Sequence, residues 1–509
     1  MGAFEGLLYG LQLLLSPELL LAALIGALAG TVIGVLPGLG PVAGAALVLP
    51  LTFTLEPAAA LIMIAGIYAG SMYGGSTTAV LLNMPGEAAS VVTTIDGYKM
   101  TQRGRGGVAL SVMAVGSFIA GTIAILLVML FSPVLADVGI AFGPREYLAL
   151  TVGGLLLLAR ISGGSAMSGF FPMVLGLALA TVGQEKVTNA YRYVFGMDDL
   201  SLGIDLVPVA IGLFGIAEMF RLIAGDQGTV PRPAKIRLRE LVPTRAEWKR
   251  AIAPWGRGSV IGFLFGLLPG PSATLSSFAS YRVEKAVSKH RKEIGDGAVE
   301  GVAGPEAANN SAAMGGLVPV LSLGLPFSAT FALMISAMIV QGIQPGPLLI
   351  SDHPDVFWSL IAAMYLANIM LLLLNLPLVG VWVSLLRIPQ GILLPAIFVI
   401  AVVGAYSARE NMLDLVVLLA MGVIGYFLHK LDFNLTSLVI GLVLGGFVEK
   451  HLREGLFLSR GDVGYFLSGT IAPTLWAIVL VVLVGGTAWR LVRRRRAVRD
   501  DEGDTCASA

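Results

Sequence analysis

Apolar stretches of membrane-spanning length recur along the whole chain, between residues 19 and 484, with short polar segments between them. A helix that crosses a bilayer needs about 17 to 25 mostly apolar residues. The pattern therefore predicts an all-α, polytopic membrane protein with about 11 to 14 membrane segments. Some stretches, such as 392–403, are shorter than a full span, which favours broken or re-entrant helices.

Glycine occurs at every fourth position in two stretches that both run into Leu-Pro-Gly. The glycine rows and the residues that follow them are Gly26, Gly30, Gly34, Leu36, Pro37 and Gly38, and then Gly258, Gly262, Gly266, Leu268, Pro269 and Gly270. This spacing places the glycines on one helix face, where a second backbone can approach closely. The proline then ends the helix inside an apolar region, where free backbone groups are tolerated only in a protein interior or a hydrated cavity. Two broken helices in corresponding places predict two repeats with a transport site between them.

A second set of matching positions follows the first. Gly74, Gly75 and Pro85 in the first half correspond to Gly315, Gly316 and Pro326 in the second half. A basic loop follows the second break in the first half and precedes it in the second half, which predicts repeats of inverted topology. We therefore divide the chain into a first transmembrane repeat (1–224), a polar linker (225–250), a second repeat (251–489) and a basic then acidic tail (490–509).

Six arginines in residues 490–499 follow the last span and predict a cytoplasmic C-terminus. The same rule makes the linker cytoplasmic, which puts the ends of both repeats on the same side. Strict inversion forbids that arrangement. Either one stretch is re-entrant or interfacial in one copy only, or the linker lies on the other side.

Small polar residues and glycines are concentrated around the breaks. The predicted substrate-binding residues are Gly38, Gly40, Ser76, Thr77, Asn83, Gly86, Gly270, Ser272, Thr274, Asn309, Asn310 and Ser328. Hydroxyls, amides and the free N–H groups of a helix start donate hydrogen bonds to carboxylate oxygens. The alternative for any single Ser or Thr is a hydrogen bond to its own helix.

Carboxylates and amides near the same breaks are candidates for a cation site. Glu87, Glu306, Asn309 and Asn310 are predicted to hold a transported Na⁺ or to carry H⁺. Asp96 and Glu300 are acidic as well, and a water-facing loop position is the alternative for both. Neither break contains a basic residue, so we expect a substrate anion to be held mainly by helix dipoles and neutral donors.

Composition excludes several other functions. The chain is 56% hydrophobic and 13% charged, and its dispersed basic residues and net charge of +1 give no nucleic-acid patch. Cys506 is the single cysteine, so neither a disulfide framework nor a thiolate metal site is expected. The histidines lack short metal-binding spacings, and neither a Gly-x-Ser-x-Gly nor a P-loop motif occurs. We expect no enzyme activity, no cofactor, and no metal beyond a transported Na⁺.

Long segments of the chain resemble a known family. They are residues 30–53, 66–100, 268–289, 297–326 and 342–347, the second of which reads GIYAGSMYGGSTTAVLLNMPGEAASVVTTIDGYKM. These segments are similar, in order, to the large membrane subunit of tripartite tricarboxylate transporters, the TctA type, over about residues 19–466. The resemblance implies a secondary transporter of the bacterial inner membrane that imports a di- or tricarboxylate with Na⁺ or H⁺. It also implies a small four-helix membrane subunit and a periplasmic solute-binding protein as partners, besides the lipid bilayer.

Two residues depart from that family pattern. Phe327 follows Pro326 where the family usually has glycine, and Pro271 follows the second Leu-Pro-Gly. An aromatic ring near the ligand would favour a smaller or partly apolar carboxylate over citrate.

Three other functions stay open at this point. A stand-alone cation-coupled carboxylate carrier would need no binding protein. A membrane scaffold would use its glycine rows only to dock partner helices. An intramembrane enzyme is the least supported, because catalytic groups are lacking.

Overall fold

The computed structural model describes residues 2–36, 39–161, 166–185, 189–225, 238–385 and 389–484. Pro37 and Gly38 of the first Leu-Pro-Gly, residues 226–237 of the predicted linker and the whole predicted tail lie outside these described residues. The described chain is all-α apart from one two-residue strand pair, as the hydrophobic pattern predicts.

The helices in chain order are α1 (Ala3–Leu14), α2 (Pro17–Val35), α3 (Gly40–Thr52), α4 (Pro57–Leu82), α5 (Val91–Gln102), α6 (Gly106–Ile140), α7 (Pro144–Ile161), α8 (Ala166–Leu179), α9 (Leu206–Ala210), α10 (Ala217–Ile223), α11 (Arg245–Gly266), α12 (Ser272–Val287), α13 (Glu300–Gly315), α14 (Leu317–Leu323), α15 (Ala329–Val340), α16 (Leu349–Asp352), α17 (Pro354–Asn375), α18 (Val379–Leu385), α19 (Gln390–Arg409), α20 (Met412–Lys430), α21 (Leu435–Leu458) and α22 (Ile471–Val484). The other elements are four 3₁₀ turns (Ala88–Ser90, Asp198–Leu202, Leu238–Leu241, Val463–Leu467), a π-helix (Ile211–Ile216) that joins α9 to α10, and the antiparallel strands β1 (Gly183–Gln184) and β2 (Tyr191–Arg192).

Eight of the described helical segments are long and apolar enough to cross a bilayer, and five shorter apolar helices accompany them. Only 22% of the membrane-length window in α19 is buried, so most of its side chains face outward. Such an apolar exterior is stable in lipid and not in water. The protein is therefore a multi-pass membrane protein.

Local sequence signals set the helix ends. Ser16 caps α2 by accepting a hydrogen bond from the Leu19 N–H, and Pro17 occupies the first turn, where its missing N–H costs nothing. Thr244 and Glu247 form a capping box at the start of α11. The helix thus begins at Arg245, so the last residues of the predicted 225–250 linker belong to a helix.

The two glycine rows pack in matching ways. An added Cβ at Gly26, Gly30 or Gly34 of α2 would collide with a backbone carbonyl oxygen of α4, on Met63, Ile67 and Ser71 in turn. An added Cβ at Gly258, Gly262 or Gly266 of α11 would collide in the same way with Gly304, Ala308 and Ala312 of α13. In both pairs the step along each helix is four residues. Each row therefore lets two backbones touch directly.

The helices on which the glycine rows pack form the interior. Every residue of α13 is buried, and α4 is buried throughout its membrane-length window. Helices of both predicted repeats surround them, because α6 packs on α13 and α17 packs on α4. The two halves of the chain therefore share one core.

Asp96 on α5 joins the halves at the α12–α13 loop. Its carboxylate is fully buried and accepts hydrogen bonds from the N–H groups of Gly295, Gly297 and Ala298 at 2.7 to 3.0 Å, and from the Tyr281 hydroxyl at 3.0 Å. In the same loop, the hydrogen bond from Arg103 lowers the pKa of Asp296. Asp96 is thus a structural anchor and not a water-facing loop residue.

Glu300 has a similar structural role. It is buried and receives two hydrogen bonds from Arg250, at 2.9 and 2.7 Å. This paired geometry stabilises the start of α13 against α11.

Candidate functional site

A cavity of about 700 Å³ lies among the breaks of both halves. The residues predicted from sequence that line it are Gly40, Asn83, Gly86, Glu87, Gly270, Ser272, Thr274 and Ser328. Tyr68 and Met72 of α4 add apolar surface. Residues distant in sequence thus form one polar cavity in an apolar protein.

Helix starts are the main feature of the cavity wall. Gly40 begins α3, Ser272 begins α12, Ala88 begins the 3₁₀ turn that leads into α5, and Ala329 begins α15, and all four residues line the cavity. No side chain caps the first three of these starts. The N-terminal end of a helix carries partial positive charge and free N–H groups. Four such ends favour a negatively charged ligand.

The four starts correspond in pairs between the halves. Gly40 and Ser272 each follow a Leu-Pro-Gly at the same distance, whereas Ala88 and Ala329 each lie three residues after a matched proline, Pro85 or Pro326. Asn83 and Gly324, each two residues before that proline, both adopt the left-handed conformation, with φ of 59° and 68°. The same backbone reversal therefore precedes the helix start in each half.

A close backbone contact brings Glu87 to the cavity. The Gly86 N–H donates to the Gly75 carbonyl at 3.3 Å, and an added Cβ at Gly86 would collide with the Gly34 carbonyl and the Gly75 Cα. Only glycine fits here, because the loop is clamped between α2 and α4. The clamp directs the next residue, Glu87, into the cavity wall.

A buried polar layer on α13 lies behind Glu87. The Asn309 Nδ2 donates to Glu87 Oε1 at 3.0 Å, and the Thr93 hydroxyl donates to Glu306 Oε1. Asn310 Nδ2 donates to the Ser117 Oγ at 2.7 Å and to the Glu306 carbonyl at 3.1 Å. These contacts connect the cavity to the core.

Three oxygens of this layer lack a hydrogen-bond donor among the described residues. They are Glu306 Oε2, Asn309 Oδ1 and Asn310 Oδ1, and all three side chains are at least 99% buried. Their spacing of i, i+3 and i+4 places them on one face of α13. Buried polar atoms are nearly always satisfied, so a row of free acceptor oxygens is suited to a cation.

Several predicted substrate-binding residues do not line the cavity. Ser76 and Thr77 donate to the carbonyls of Met72 and Tyr73 in their own helix, at 3.0 and 3.1 Å, which is the alternative that the sequence left open. Asn309 and Asn310 lie in the layer behind it, together with Glu306 of the predicted cation site. Gly38 lies outside the described residues.

Sequence reasoning missed a second wall of the cavity. Glu218 and Arg221 of α10 line it, as do His429, Asn434 and Thr436 at the α20–α21 turn. Arg221 lies outside both breaks, so a guanidinium accompanies the helix starts and neutral donors that the sequence predicts at the cavity. The signal in the sequence was a Glu and an Arg three residues apart at the end of an apolar span.

The ring of Phe327 does not line the cavity. Its ring lies 3.5 Å from the position of a Cβ built on Gly154 of α7, in an apolar cluster with Leu155, Leu325 and Ile440. It is not among the residues that line the cavity, although Pro271 is. The side chain thus points away from the cavity because apolar neighbours hold it.

Comparison with known proteins agrees with this architecture. The model of the tripartite tricarboxylate transporter TctA family matches residues 20–440. The chain belongs to this family. It is therefore a membrane transporter component, and membership of the TctA family implies other subunits.

Two relatives come from Agrobacterium vitis. One, called "Uncharacterized 52.8 kDa protein in TAR-I ttuC' 3'region", is 44% identical over 95% of this chain and 96% of its own length. The other, called "Uncharacterized protein in TAR-II ttuC' 3'region", is 45% identical over 44% of this chain and 92% of its own length. No solved structure matches the chain.

Proposed function

We propose that the protein is the large transmembrane subunit of a binding-protein-dependent secondary transporter that imports a di- or tricarboxylate with Na⁺ or H⁺. The observation that carries this proposal is the meeting of four helix starts, two from each half, at one cavity. Their N–H groups and the hydroxyls of Ser272, Thr274 and Ser328 are donors of the kind that carboxylate oxygens accept.

The layer on α13 supports cation coupling. Glu87 lines the cavity and accepts from Asn309, whose own Oδ1 belongs to the row of free oxygens. A Na⁺ on those oxygens, or a proton on a carboxylate of the layer, would change the charge next to the substrate. Occupation of the cation site and of the cavity would then be linked energetically.

Membership of the TctA family supports the presence of partner subunits. We propose that a small four-helix membrane subunit and a periplasmic solute-binding protein complete the transporter, which lies in the bacterial inner membrane with the C-terminus in the cytoplasm. The glycine rows bury their faces against α4 and α13 of the same chain, so they do not need a partner helix. That packing does not favour the scaffold interpretation.

Reconstitution in liposomes tests the proposal. The purified chain, with or without the proposed small subunit and binding protein, is given labelled succinate or citrate under an inward Na⁺ or H⁺ gradient. We expect gradient-dependent uptake with all three components and a large reduction in Glu87→Gln. Glu454→Gln, a change outside the cavity wall, serves as the control.

The uptake results distinguish the binding-protein-dependent transporter from the stand-alone carrier. Full uptake by the chain alone would favour the stand-alone carrier. Absence of carboxylate uptake from the complete mixture under both gradients, with intact vesicles and folded protein, would contradict the proposed function.

A further inference from the structure

The second wall of the cavity carries its own charged pair. Arg221 Nη1 donates to Glu218 Oε2 at 2.7 Å, three residues earlier on α10. The Arg221 side chain is 22% exposed, whereas that of Glu218 is 6% exposed. The acid is thus nearly enclosed while the guanidinium reaches open space.

Arg221 is unusual among its neighbours. No other Arg or Lys occurs among the described residues that line the cavity, and Glu218 is the one other charged residue of α10. A guanidinium carries five N–H donors in a planar fork, and the contact with Glu218 uses one of them. The other donors leave room for a carboxylate, which an arginine binds through two parallel hydrogen bonds.

The second wall of the cavity also contains an irregular backbone segment, a π-helix. The π-helix Ile211–Ile216 ends one residue before α10, and Leu213 and Phe214 within it line the cavity. A π-helix is rare and is frequently found at functional sites. Here the π-helix leads directly into α10, the helix that carries Glu218 and Arg221.

We propose that Arg221 binds a second carboxylate of the substrate, while the helix starts bind the first. This inference rests on the proposed function and specifies its substrate class. The incoming carboxylate takes over guanidinium donors beside Glu218, so a substrate with at least two carboxylates gains a charge-assisted contact that a monocarboxylate cannot make. Arg221 is therefore the residue that selects di- and tricarboxylates.

Binding of matched probes tests the inference. Succinate and butyrate have the same chain length and differ by one carboxylate, and citrate adds a third. Their dissociation constants are measured on the purified full chain in nanodiscs. We expect Arg221→Gln to weaken succinate and citrate binding by about tenfold or more and to leave butyrate binding unchanged. Arg221→Lys should retain part of the preference.

Two further variants keep the test decisive if the single change disturbs folding. Arg221→Gln with Glu218→Gln also removes the buried acid that has lost its contact with Arg221, and should still lose the preference for succinate over butyrate. Glu218→Gln alone should strengthen succinate binding, because the competing carboxylate is gone. Arg453→Gln breaks a comparable ion pair with Glu449, outside the cavity wall, and should change nothing.

The outcomes distinguish this inference from the proposed function. An unchanged succinate-to-butyrate ratio in folded Arg221→Gln, or an equal loss for both probes, would overturn the role of Arg221 alone. Failure of the wild-type chain to bind any of the three probes would contradict both the role of Arg221 and the carboxylate site itself.

Discussion

At the residue scale, the central contact is the hydrogen bond from Asn309 to Glu87, because it connects the cavity wall to the layer on α13. Removing the Asn309 side chain deletes one of the three free oxygens and leaves Glu87 without that donor. A buried group that loses its partner costs about 1–3 kcal/mol, and a charged group more. In the proposed transporter, Asn309 is thus the residue that connects the cation site to the substrate site.

We predict that Asn309→Ala raises the Na⁺ concentration for half-maximal succinate uptake by about tenfold, since a cation ligand is lost. If H⁺ is the coupling ion, the same variant instead shifts the pH dependence of uptake. The control is Asn375→Ala, another buried asparagine, whose Nδ2 donates to the Leu371 carbonyl within α17. Equal behaviour of the two variants would remove Asn309 from the coupling path.

For Phe327 we predict no effect on substrate preference. Because its ring packs against α7 and not into the cavity, Phe327→Gly should leave the ranking of succinate, citrate and butyrate unchanged. It should lower thermal stability in detergent, by about 2 kcal/mol for a half-buried ring. A shift toward larger carboxylates would instead restore the sequence hypothesis that this residue shapes the site.

At the element scale, the closely packed helix pairs α2–α4 and α11–α13 form the centre of the fold. Their glycines could be recognised from sequence, because a spacing of four residues has one structural meaning in a helix. Their partners could not, since the sequence does not say which backbone a glycine face meets. The π-helix before α10 could not be predicted from the sequence either, because no local residue pattern specifies it.

We predict that Gly262→Ala destabilises the protein by about 1–3 kcal/mol, because its Cβ would meet the Ala308 carbonyl. Gly256 lies in the same helix, and an added Cβ there has nothing within 4 Å. Gly256→Ala should be neutral or slightly stabilising. Thermal unfolding of both variants in detergent checks the pair, and equal unfolding temperatures would mean that the glycine row does not form a close contact.

At the scale of the whole molecule, the sequence predicted the class of fold, and it named several of the residues that line the cavity. Residues beside the breaks, such as Gly40, Asn83 and Ser272, line the cavity because the breaks themselves form it. Ser76 and Thr77 do not, since side-chain bonds to their own helix depend on geometry that composition does not reveal. Arg221 was missed because only the tertiary fold brings α10 to the breaks.

The membrane potential constrains the stoichiometry of transport. Moving each negative charge into a cell at 100 mV, inside negative, costs about 2.3 kcal/mol, so a dianion costs about 4.6 kcal/mol. One Na⁺ returns about 2.3 kcal/mol from the potential and about 1.4 kcal/mol from a tenfold gradient. We predict at least two cations per dicarboxylate. Charge measurement on reconstituted transporter checks this, and net negative influx would refute it.

Substrate protection of introduced cysteines tests most directly whether both halves hold one carboxylate. In a Cys506→Ser background, Ala88→Cys and Thr274→Cys place thiols at cavity-lining helix starts of the first and second half, and Ser351→Cys provides an exposed thiol outside the cavity wall. We predict that succinate or citrate slows maleimide labelling of Cys at 88 and 274 with the same half-effective concentration and leaves 351 unaffected. Protection in one half only, or in neither, would contradict a shared site.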